Sequence, residues 1–172
     1  MFSHFVRNAC LAVVLLSQSF VAGAALKLDA PLPVGPQVKV GKLANGLTYY
    51  IRKNTRPERK LELRLVVKAG SILEDEDQQG LAHFVEHMLF KGTETRDVGE
   101  AVDAVEALGG DINAWTSTEE TVYHATVPTS AWQETLDTLV DMVLHSRFDA
   151  DEVENERGVI LEEIRAGRDD AG

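Results

Sequence analysis

Gly80 to Gly92 reads G-L-A-H-F-V-E-H-M-L-F-K-G, with Glu86 lying between His83 and His87. On a helix, at roughly 100° per residue, the two imidazoles share a face about one turn apart, roughly 6 Å along the axis. That separation lets both reach a single metal ion. Zinc takes nitrogen and oxygen donors, and a catalytic zinc keeps one coordination position for water. A carboxylate beside such an ion, here Glu86, stands where it can take a proton from that water. The positioning element must be a helix, and the apolar spacing asks for one. Leu81, Phe84, Val85 and Met88 form one stripe, opposite a second made of His83, Glu86, His87 and Phe90. Taken singly, either histidine reads equally as an ordinary surface or core residue, so the rest of the chain has to supply the other ligands.

Composition narrows those ligands. The chain has 172 residues, 44% of them hydrophobic, enough for one domain with its own core. A formal net charge of −11 argues against nucleic acid or an anionic membrane surface as a partner. Arg7 precedes the apolar run Ala9 to Leu16, and Ala22-Gly23-Ala24 follows as a small-residue site, so residues 1–24 read as a signal peptide. Ser17, Gln18 and Ser19 interrupt the run short of the ~20 residues that a spanning helix needs, so the mature form is expected to have no membrane anchor. A periplasmic or secreted protein follows. Cys10, the single cysteine, lies inside the leader. The mature chain is then without a thiol, which leaves histidine and carboxylate as metal ligands.

Residues 25–37, with Pro31, Pro33 and Pro36, suit an extended linker into a domain spanning 38–172. Val38 to Leu43 and Leu47 to Ile51 flank Ala44-Asn45-Gly46, a strong hairpin signal. Leu61 to Val67 alternates as a half-buried strand should. Glu74, Asp75, Glu76 and Asp77 precede the histidine helix, with Asp77 expected to cap it and direct metal binding by these acids as the alternative. Val98 to Leu108 reads as a helix stopped by Gly109-Gly110, followed by strands over 111–116 and 121–127. A helix opening at Ser130, in a capping box with Gln133, would bury Trp132, Leu136, Leu139, Val140, Val143 and Leu144. His124 and His145 read as structural. In a last helix over 149–170, Val153, Glu156, Ile160, Glu163 and Ile164 share one stripe. Two carboxylates on an inward side are costly unless paired; alternatively, both border the stripe and reach solvent. The element order predicts an α+β fold, helices packed on a largely antiparallel sheet.

Asn45-Gly46-Leu47-Thr48, Val67-Lys68-Ala69-Gly70-Ser71 and Gln79 to Thr93 together resemble the N-terminal catalytic domain of the pitrilysin/insulinase metallopeptidases, the inverzincins with an H-x-x-E-H motif. The resemblance runs from about Val38 to Arg165, and the motif is intact. It implies zinc held by His83, His87 and Glu163, with Glu86 as the catalytic base. Glu156 would orient a ligand histidine, and Asn113 and Ala114 would lie on an edge strand that takes a peptide substrate as an added strand. A plain hairpin with Trp115 filling the core is the alternative there, and Glu162 is the rival to Glu163. The resemblance further implies a zinc-dependent endopeptidase acting on peptides or unfolded polypeptides, its site completed by a second homologous domain or subunit. A non-catalytic zinc-binding or scaffold subunit is the alternative. A lyase with a similar reversed motif is disfavoured, because it needs a cysteine.

Overall fold

The computed structural model describes residues 33–169, so the leader and residues 25–32 of the linker lie outside the described part. The chain divides into two compact units between Lys53 and Asn54. In the first, β1 (Val38–Lys42) and β2 (Thr48–Arg52) pair antiparallel, Lys42 opposite Thr48. Asn45 supplies the turn, its Oδ1 accepting from Leu47 N–H at 3.1 Å, and Gly46 adopts φ 95° as the tight return requires.

The second unit holds β3 (Lys60–Val67), α1 (Leu81–Met88), α2 (Glu100–Ala107), β4 (Asp111–Thr116), β5 (Thr121–Pro128), α3 (Trp132–Leu144) and α4 (Ala150–Asp169). Its sheet is antiparallel in the order β3-β5-β4, so the expected α+β architecture is present. Register decides which side chains face the helices. Leu63, Ala125 and Ile112 form one rung, Leu65, Tyr123 and Ala114 the next, and Val67, Thr121 and Thr116 the third. The first two rungs, with Leu89, Val105, Val127, Ala131 and Leu139, make the core. The opposite face carries Arg64, His124, Asn113 and Trp115. Trp115 lies there, with the Arg64 guanidinium 5.5 Å from its ring and His124 5.2 Å away. It therefore covers the outer face of the sheet and fills no core gap.

Four local expectations are corrected. Asp77 does not cap α1. Gly80 takes φ 91°, which folds the preceding loop back so that Glu74 lies under the first turn, accepting from Gly80 N–H at 2.8 Å and Ala82 N–H at 2.7 Å. Ser130 does not cap α3, because a 3₁₀ turn, Thr129–Ala131, runs directly into it. The buried face of α3 is also rotated. Leu139 is buried, but Trp132, Leu136, Val140 and Leu144 are exposed, and Thr135, Thr138, Asp141 and Met142 face inward. The threonines can do so because each hydroxyl donates to the carbonyl one turn back, Thr135 to Ala131 and Thr138 to Glu134, both at 2.9 Å. Val98 lies outside α2, which starts after Gly99 at φ 85°.

Asp141 is drawn inward by partners. Its Oδ2 accepts from Thr93 Oγ1 at 2.6 Å, from Thr95 Oγ1 at 3.0 Å and from the Arg96 guanidinium, while its Oδ1 lies 3.0 Å from His145 Nδ1. Backbone bonds from Arg147 N–H to Gly92 O and from Glu94 N–H to His145 O, both 3.0 Å, zip the same segments. The exit of α1 is thereby tied to the entry of α4. Burial pushes the Asp141 carboxyl up, but the four hydrogen bonds outweigh it and hold the group at about 2. A depressed carboxylate stabilises the fold above its unfolded value near ~3.9, and that contribution fades as pH falls toward about 2. Asp141→Asn is expected to lose about 2–3 kcal/mol at neutral pH. In urea titrations the gap from wild type should narrow below pH ~4; a constant gap down to pH ~2 would contradict this.

Candidate metal centre

The site is built where α1 lies between β4 and α4. His83 and His87 stand one turn apart on α1, their rings edge to face with centroids 4.5 Å apart. Their Nε2 atoms are 3.0 Å from each other, and Glu163 Oε2, from α4, lies 3.7 Å from the first and 3.6 Å from the second. Among the described residues, His83, His87 and Glu163 are the group whose donor atoms converge in this way. Bonds of about 2.0 Å around a tetrahedral zinc place neighbouring ligand atoms about 3.3 Å apart, which this triangle matches. Glu162, the rival, is largely exposed and pairs with Arg165 on its own helix.

Glu156 is almost fully buried, and its Oε1 lies 2.7 Å from His87 Nδ1. An ionised carboxylate can only accept, so His87 carries its proton on Nδ1 and turns the Nε2 lone pair toward His83 and Glu163. Lys91 Nζ lies 2.6 Å from Glu156 Oε2. Burial pushes the Glu156 carboxyl up, but the hydrogen bonds from Lys91 and His87, with the Lys91 charge, win and hold it below the usual carboxylate value. The inward stripe of α4 thus contains Glu156 and Ile160, whereas Glu163 and Ile164 stand about half exposed at its margin.

Glu86 is buried on the other flank of α1, 8% exposed, and accepts a hydrogen bond from Thr116 Oγ1 on β4. The third rung of the sheet aims Thr116 at α1, and Thr121 beside it donates to Ala69 O at 2.9 Å. Tyr123, on the same face, is pushed well above the ordinary phenol value by burial and then by the Glu86 charge, so it stays neutral. Asn113 and Ala114 also lie on β4, an edge strand among the described residues, and Ala114 N–H donates to Asn113 Oδ1 at 2.8 Å. A cleft of about 330 Å³ lined by Ser71, Glu74, Gly80, His83, Thr116 and Ser117 opens beside His83. Thr116 and Lys91 have no place in the site as read from sequence. The even spacing of Thr116 with Ala114 and Ile112 is the signal for the first. For Lys91 it is the step of four from His87.

Residues 49–171 match the family model described as Insulinase (Peptidase family M16). The chain is 39% identical over 163 residues to the probable zinc protease PqqL of Haemophilus influenzae, and 35% identical over 171 residues to that of Escherichia coli. These alignments cover 90% and 95% of this chain but 18% of each relative's length. Among solved structures, the first half of the periplasmic protease PqqL from Escherichia coli gives a TM-score of 0.74 at 38% identity, covering 80% of this chain and 31% of that one. Pitrilysin gives 0.69 at 28% identity, covering 77% of this chain and 14% of that one.

Proposed function

Since the chain belongs to the insulinase family of zinc peptidases, we propose that it forms the metal-binding part of an exported metalloendopeptidase that hydrolyses peptides or unfolded polypeptides. The observation that carries this reading is the convergence of His83 Nε2, His87 Nε2 and Glu163 Oε2 beside a buried carboxylate. Those three residues would hold zinc, which when bound acts as a Lewis acid and makes water nucleophilic near neutral pH. Glu156 fixes the His87 tautomer through Nδ1–H. Glu86 takes the proton of the attacking water at a carboxylate oxygen and delivers it to the leaving amine. Thr116 Oγ1–H holds the other side of that carboxylate. Substrate lies along β4 at Asn113 and Ala114 as an added strand, through main-chain hydrogen bonds that tolerate many sequences.

Export is supported by the leader-like residues 1–24 and by the similar protein described as periplasmic. The chain spans less than a fifth of the length of the two PqqL proteins it resembles. A second homologous domain or subunit closing over the site suits that proportion. Treating the purified protein with a chelator is expected to abolish cleavage of an unfolded polypeptide, and stoichiometric zinc should restore it. Hydrolysis that persists in the metal-free protein would overturn the proposal.

A further inference from the structure

Lys91 follows His87 by four residues and curls back over it, because α1 ends in a tight turn with Phe90 N–H on His87 O and Lys91 N–H on Met88 O, both 3.0 Å. Its ammonium reaches Glu156 Oε2 at 2.6 Å, opposite the oxygen that accepts from His87. The Glu156 side chain is 5% exposed, while that of Lys91 is 27% exposed. A carboxylate removed from water needs both oxygens satisfied and its charge balanced. His87 must remain neutral to offer Nε2, so it cannot be the counter-charge. Among the described residues, Lys91 is the cation in salt-bridge contact with Glu156. The geometry points to Lys91 as a positioning residue of the metal centre: it holds the Glu156 carboxylate in place, and through Glu156 sets the aim of His87. Lys91 itself is not part of the converging donor group.

This inference rests on the proposed zinc site, and metal affinity separates the two. Zinc dissociation constants of the purified protein, measured by chelator competition, should rise about tenfold or more in Lys91→Met, in the range typical for groups that support a ligand histidine. In a Glu156→Gln background the same substitution should change affinity less than about twofold, because its route to His87 is gone. The metal-free unfolding midpoint of Lys91→Gln, which keeps length and polarity, should stay near wild type while its zinc affinity falls as in Lys91→Met. A Lys91→Met affinity within about twofold of wild type, or an equal loss with and without Glu156, would overturn the role of Lys91. Wild type without zinc affinity would instead overturn the metal site itself.

Discussion

Glu86→Gln is expected to retain zinc and to lower peptide hydrolysis by about a thousandfold, within the range for loss of a positioned general base. The substitution is close to isosteric, and the glutamine carbonyl can still accept from Thr116 Oγ1, so packing around this buried position is preserved. What disappears is the capacity to take a proton. Because Glu86 meets Thr116 on β4 while His83 and His87 face Glu163, the proposed base and the proposed ligands have different neighbours. Metal content and turnover should therefore separate in this variant. Activity within about tenfold of wild type, zinc being retained, would assign the proton transfer to another group.

Removing either histidine acts in the other direction. His83→Ala or His87→Ala is expected to weaken zinc affinity by more than about a hundredfold, beyond what loss of a supporting group costs. Zinc that binds only the folded state raises stability with the logarithm of its concentration over the dissociation constant. Adding zinc to the metal-free wild type should thus raise the unfolding temperature, and the same addition should leave either variant unmoved. The two need not be equal, since His87→Ala also strands the buried Glu156 against Lys91, whereas His83 is more exposed and, among the described residues, has no carboxylate partner on its other nitrogen. A zinc-induced shift as large as wild type in either variant would exclude that histidine.

The pieces legible in sequence are those fixed by short-range periodicity. His83, Glu86 and His87 need only one turn of helix to define their mutual placement, whereas the phase of the last helix leaves open whether Glu156 and Glu163 reach solvent, and it is the resemblance that singles them out. The order of elements along the chain and the hairpin turn at Asn45-Gly46 follow from periodicity, alternation and turn chemistry. What escapes is set by contacts far apart in the chain. Thr116 meets Glu86 only because the register of β4 on β5 turns its hydroxyl toward α1. Glu74 replaces Asp77 as the cap because a positive φ at Gly80 redirects the loop. The inward face of α3 misleads because threonine and aspartate look solvent-seeking until their hydrogen bonds to the helix backbone and to the loop after α1 are visible.

The central claim is that two segments distant in sequence share one zinc, and the comparison of Glu163→Gln with Glu162→Gln tests it most directly. The two residues are neighbours in sequence, yet Glu163 Oε2 faces both imidazoles while Glu162 pairs with Arg165. Zinc per protein after dialysis against a weak chelator is predicted to collapse in Glu163→Gln and to remain near one equivalent in Glu162→Gln, as expected for a three-ligand zinc site. Equal zinc in the two variants, whether retained or lost, would contradict the account.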